Sequence, residues 1–94
     1  MSIKDAFATA LKQARTAKRF TQEDFSNVSS RTYVSTLERG LKNPTLDKIE
    51  DLSGAMGLHP LTLITLTYMI ERNDADAKEL FKLITQELSQ LASL

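Results

Sequence analysis

Apolar residues along this 94-residue chain recur at intervals of three and four, the spacing of one helix face, in nearly every segment. Ile3, Phe7, Ala10, Leu11 and Ala14 predict a first amphipathic helix over about 3–18. Thr21 ahead of Gln22-Glu23-Asp24 forms a near capping box, with Asp24 where Glu or Gln is usual. It opens a short second helix that buries Phe25 and Val28. Asn27-Val28-Ser29-Ser30 interrupts that helix, and Ser30 is a suitable cap for a third helix from Arg31 to Arg39. Gly40 follows, at the position that favours a left-handed backbone. Asn43-Pro44-Thr45 then makes a turn and cap for a fourth helix with Leu46, Ile49, Leu52 and Met56 inward, ended by Gly57. His59-Pro60 places Pro at the first position of a fifth helix over about 60–71. Asn73 and Asp74 cap a sixth, on which Ala77, Leu80, Ile84, Leu88 and Leu91 form one stripe with Phe81 beside it. No alternating β-branched run competes. The predicted fold is all-α: five helices over 1–71 and an additional C-terminal helix in 72–94.

Charge adds an asymmetry that the net value of zero conceals. Residues 1–44 carry eight Lys and Arg against four Asp and Glu, and residues 45–94 carry four against eight. One end is thus suited to a polyanion. The absence of Cys excludes disulfides, thiolate metal sites and thiol catalysis. Leu61 to Ile70 is only ten residues long and contains three Thr, whereas a bilayer span needs about 20 apolar residues. Asp5 interrupts the N-terminal region where a signal peptide would be apolar. A cytoplasmic protein with no membrane contact is expected.

The segment Thr21 to Gly40, TQEDFSNVSSRTYVSTLERG, is a short helix, a tight turn and a second helix. Such a unit suits groove reading. Amides at the start of the leading helix, with Gln22, meet a phosphate, and this fixes how the next helix lies in the major groove. On that helix Arg31, Thr32, Ser35 and Thr36 face outward, while Val34 and Leu37 face inward. Arg31, at the first helical position, is placed for a bidentate contact with guanine O6 and N7.

These residues carry a family resemblance. Thr21-Gln22-Glu23, Ser30-Arg31-Thr32-Tyr33-Val34-Ser35, Leu37-Glu38-Arg39-Gly40 and Asn43-Pro44-Thr45-Leu46 occur in the order seen in the Cro/repressor-type helix-turn-helix regulators. Leu52, Gly57 and Leu58-His59-Pro60-Leu61 resemble the close of that module, and the likeness runs from about Ala8 to Ile70. It implies a repressor-like DNA-binding domain in which Arg31, Thr32, Ser35 and Thr36 read bases. Gln22, Ser30, Tyr33, Arg39, Lys42 and Asn43 would lie along the phosphate backbone. Arg15 and Glu38 correspond to an ion pair joining the first helix to the end of the recognition helix. The chain departs from the pattern twice. It is about two residues shorter near Asn27-Val28-Ser29, and it has Arg19 where the family usually has Gly.

Other features have plainer readings. Lys4, Lys12 and Lys18 read as solvated surface, and Tyr33 reads equally as a core-edge aromatic. His59, the only histidine, reads as a helix cap. Asp74, Asp76 and Glu79 suit a helix N-terminus better than a metal. No nucleophile–base pair and no phosphate-cradling Gly loop can be assembled, so neither an enzyme nor a cofactor or metal site is expected. The fifth helix is apolar on more than one side and the sixth adds its stripe. This predicts a two-fold homodimer through Leu66, Ile70, Leu80, Phe81, Ile84, Leu88 and Leu91. The alternative is a monomer whose sixth helix folds back over the core. The expected function is transcription regulation by a homodimer on a near-palindromic operator, with no small-molecule effector site. The other class left open is an antitoxin-like, protein-binding module that also binds DNA.

Overall fold

Each helix of this chain starts where a side chain takes up a free backbone amide. The computed structural model describes residues 1–92. Among them are α1 (Ile3–Ala17), a 3₁₀ turn (Gln22–Phe25), α2 (Arg31–Glu38), α3 (Leu46–Ala55), α4 (Pro60–Arg72) and α5 (Lys78–Ala92), with no strand. Ser2 caps α1, Ser30 caps α2 and Thr45 caps α3, each side-chain oxygen 3.1 Å from the amide three residues on. His59 caps α4 through Nδ1, which accepts from the Leu61 amide at 3.0 Å.

The core sits where α1 crosses α4, with α2 against α1 and α3 against α4. Phe7, Ala10, Leu11 and Ala14 meet Phe25, Val34, Leu37, Ile49, Leu52, Met56 and Leu63 there. Phe20 and Phe25 rings lie 5.5 Å apart and close the end beneath the 3₁₀ turn. Thr67 is buried on α4, and its hydroxyl donates to the Leu63 carbonyl at 2.8 Å, which satisfies it without a partner from another helix.

Several sequence expectations require correction. The second helix is a single 3₁₀ turn of four residues, closed by the Ser26 amide on the Glu23 carbonyl at 3.0 Å. Its capping box forms in both directions, Thr21 amide to Asp24 Oδ2 at 2.7 Å and Asp24 amide to Thr21 Oγ1 at 3.2 Å. Phe25 is buried, but Val28 is only half-buried. Ile3 and Leu46 do not enter the core: they are 43% and 76% exposed, because each begins its helix beyond the reach of a covering element. Asn73 does not cap the last helix. It ends α4 with a left-handed backbone (φ 57°), and the Asp74 amide bonds back to the Met69 carbonyl at 2.8 Å. Asp76 takes the role at α5, accepting from the Lys78 amide at 2.9 Å, so Ala77 falls just outside the helix. No residue of α5 is buried, so it does not complete the core of the monomer; positions 93 and 94 lie outside the described residues.

An ion pair sets the orientation of α2. Arg15 Nε and Nη2 donate to Glu38 Oε2 and Oε1 at 2.6 and 2.9 Å, and Arg15 Nη1 donates to the Phe20 carbonyl at 2.9 Å. The side chains are only 15% and 5% exposed. The hydrogen bond to Glu38 holds the Arg15 guanidinium above its ordinary pKa, with the Coulomb attraction of Glu38 acting the same way and burial opposing it. At the same end of α2, Gly40 (φ 71°) lies so close to α1 that a Cβ there would come within 2.6 Å of Asp5 Oδ1.

Removing Glu38 alone strands a mostly buried guanidinium. Glu38→Ala is expected to cost about 3–5 kcal/mol, whereas Arg15→Met with Glu38→Leu should cost far less. Urea unfolding of the two variants checks this, and equal losses would count against it. Arg19, at φ 60°, carries a side chain in a left-handed turn after α1. Arg19→Gly should raise stability by up to ~1 kcal/mol, read as a higher melting temperature.

Candidate nucleic-acid interface

Eight residues of α2 form a rod about 12 Å long, and a helix's diameter with side chains, about 10–12 Å, is what the major groove admits. Val34 and Leu37 anchor its inner side, and both are fully buried. On the outer side, Arg31 and Thr32 are exposed, and Ser35 and Thr36 are half-buried. Gln22, Arg31, Thr32, Ser35 and Arg39 together line a hollow of about 280 Å³, so five of the ten residues expected to touch bases or phosphates converge on one concave surface.

The remaining members divide. Thr36 Oγ1 donates to the Thr32 carbonyl at 2.8 Å, so its hydroxyl oxygen keeps its acceptor lone pairs. Ser30 spends an acceptor lone pair on the Tyr33 amide and keeps its hydroxyl proton. Lys42 and Asn43 follow Gly40, are exposed, and make no hydrogen bond or ion pair with the described residues. Tyr33 lies half-buried against the core, the place of a core-edge aromatic.

Gln22 is not simply exposed. Its Nε2 donates to Glu38 Oε1 at 3.1 Å, which ties the 3₁₀ turn to the Arg15 pair. One amide hydrogen and the side-chain oxygen remain for an outside partner. The 3₁₀ turn, α1 and α2 therefore share a single polar node beneath the hollow.

Two residues at this surface escaped the sequence reading. Lys48, in the first turn of α3, donates from Nζ to the Val28 carbonyl at 2.9 Å and stands 5.4 Å from the centre of the Tyr33 ring. Asp51 Oδ2 lies 3.9 Å from the same ammonium. Lys48 thereby pins the short connection between the 3₁₀ turn and α2, and nothing in its local sequence signals that. Glu23 is the other. Its Oε1 is 3.1 Å from Arg31 Nη1, and both side chains are about two-thirds exposed, at 69% and 67%.

Among the described residues no group of three or more His, Cys, Asp or Glu is placed to hold a metal ion, and no helix is long and apolar enough to cross a membrane.

Comparison with known proteins agrees with this geometry. Residues 11–63 match the model of a helix-turn-helix family. Over 69 residues the chain is 38% identical to control protein C.BamHI of Bacillus amyloliquefaciens, covering 70% of this chain and 85% of that protein. Over a further 69-residue alignment it is 33% identical to an HTH-type transcriptional regulator, y4dJ, of Sinorhizobium fredii, covering 71% of this chain and 90% of that one. With the matched segment spanning α2 and the elements that hold it, the chain belongs to the Cro/C1-type helix-turn-helix family, whose members are DNA-binding transcription regulators and not enzymes.

Proposed function

We propose that this chain binds double-stranded DNA sequence-specifically as a homodimer on a near-palindromic operator, with residues 1–71 as the DNA-binding unit and residues 72–94, through α5, as the dimerisation segment. The observation that carries the first part is the two-sided character of α2. Its apolar side is locked into the core while Arg31, Thr32 and Ser35 remain available at a concave surface, with Thr36 half-buried on the same helix outside that hollow. Arg31 reads a guanine edge, and Thr32, Ser35 and Thr36 meet neighbouring bases. Gln22, Ser30, Tyr33, Arg39, Lys42 and Asn43 contact phosphates on either side and fix the register.

The α5 stripe supports the dimer. Phe81, Ile84, Leu88 and Leu91 are 51%, 38%, 60% and 63% exposed, and with Ala77 they recur at alternating intervals of four and three, the seam of paired helices. Leu80 is half-buried, and Leu66 and Ile70 already lean on the core of their own chain, so their part in the interface is the smaller one. Total accessible surface is 6367 Å², against roughly 5400 Å² for a compact monomer of 10.5 kDa. The excess is close to the ~800 Å² that each partner buries in an ordinary stable interface. A two-fold pair would set the recognition helices about one DNA turn, 34–36 Å, apart. The relatives are named as a control protein and a transcriptional regulator, in keeping with this reading.

Selection of bound sequences from a random DNA pool tests the whole proposal: an inverted repeat should emerge, and a pool without enrichment would refute it. Arg31→Ala is expected to cost ~1–3 kcal/mol on the selected site and to relax one base step per half-site. Lys42→Ala should instead weaken all sequences alike and flatten the salt dependence by about one unit of slope. Fluorescence anisotropy across a salt series separates the two roles. Ile84→Glu should dissociate the dimer, seen as a halved mass in sedimentation with the helical content retained; an unchanged mass would remove α5 from the interface.

A further inference from the structure

Arg31 stands between two concavities. One, of about 280 Å³, is the hollow shared with Gln22, Thr32, Ser35 and Arg39. The other, of about 380 Å³, is lined by Arg15, Thr21, Gln22, Glu23 and Arg31, and Glu23 holds Arg31 on that side through its 3.1 Å contact. Glu23 lies in the first turn of its element, but its side chain makes no hydrogen bond there. The capping box of its turn uses Thr21 and Asp24, and the buried node below uses Glu38. An exposed carboxylate on a surface meant for phosphates is electrostatically unfavourable unless it acts on something beside it.

We propose that Glu23 is a specificity-determining residue that works through Arg31: it withholds the guanidinium from phosphates and leaves its free edge for a base. This rests on the DNA-binding reading above. Glu23 engages Nη1, so the Nε and Nη2 hydrogens remain as a parallel pair, the arrangement that matches guanine O6 and N7. On a non-matching sequence no such acceptor pair is offered, and Arg31 stays with Glu23. Without the carboxylate, the long flexible side chain can reach any nearby phosphate. Its charge then adds to binding everywhere, and discrimination falls. Arg31 also sits at the first position of α2, where the helix dipole disfavours a cation, so the opposing charge of Glu23 keeps it there at little cost.

The test compares the wild-type chain with Glu23→Gln, Arg31→Ala and the double variant. Anisotropy is measured on the duplex selected by the wild type and on a scrambled duplex of equal length. Glu23→Gln preserves the shape of the exposed side chain and should leave the melting temperature unchanged. Its expected effect is tighter binding to scrambled DNA with no gain on the selected duplex, so that the ratio of affinities falls roughly two- to five-fold, the range an exposed ion pair can deliver. In the Arg31→Ala background the same substitution should leave that ratio unaltered. Equal tightening on both duplexes would mean that Glu23 merely repels phosphates, and would overturn the proposal. So would a loss of discrimination that persists without Arg31. If the wild-type chain selects no sequence at all, the DNA-binding reading itself fails, an outcome distinct from a wild type that discriminates and a Glu23→Gln that discriminates equally well.

Discussion

The bidentate contact between Arg15 and Glu38 governs how the outer face of α2 is presented. An eight-residue helix is too short to persist on its own, because nucleation is unfavourable and few intrahelical bonds follow it. It holds its shape through Val34 and Leu37 in the core, and its direction through the pair at its C-terminal end. The same guanidinium grips the Phe20 carbonyl, and the same carboxylate accepts from Gln22. One buried polar node thus joins α1, the turn after it, the 3₁₀ turn and α2. Ion pairs of this kind contribute little net stability relative to an apolar replacement. What this one supplies is a fixed relation between the helix that carries Arg31 and the turn that carries Gln22 and Glu23.

Polar side chains determine the connections as firmly as apolar ones determine the core. Lys48 reaches from α3 to the Val28 carbonyl and covers one face of Tyr33, so the shortened link between the 3₁₀ turn and α2 is anchored from outside. Gly40 lets the end of α2 approach Asp5 at a distance no other residue would tolerate without displacement. Arg19 makes the corresponding left-handed turn after α1 with a full side chain. The short link and the strained turn lie on either side of the 3₁₀ element.

Much of this molecule could be read from its sequence because local chemistry was sufficient. Ser30, Thr45 and His59 cap the helices they were expected to cap, and Gly40 and Gly57 take positive φ at helix ends. Each of these is a decision made within a few residues of chain. The Arg15–Glu38 pair was legible only through a family resemblance, since 23 residues separate its members and no local period connects them. Glu23, Lys48 and Thr67 gave no such sign. Asn73 closes α4 and does not open α5, for a related reason: a residue lying between two helices can do either, and local sequence weighs both alike.

By itself, then, the sequence determined the helical period, the caps at Thr21, Ser30, Thr45 and His59, and a first half rich in positive charge, all of which depend on near neighbours. Tertiary structure decided which apolar residues were covered. Leu46 and the α5 stripe repeat with the same helical spacing as Leu52 and Leu63, yet only the latter meet an opposing helix. Burial depends on what arrives from elsewhere in the chain. The partners of Gln22 and Arg31 were decided in the same way, because hydrogen bonds and ion pairs across elements form only after the core has set the distances between them.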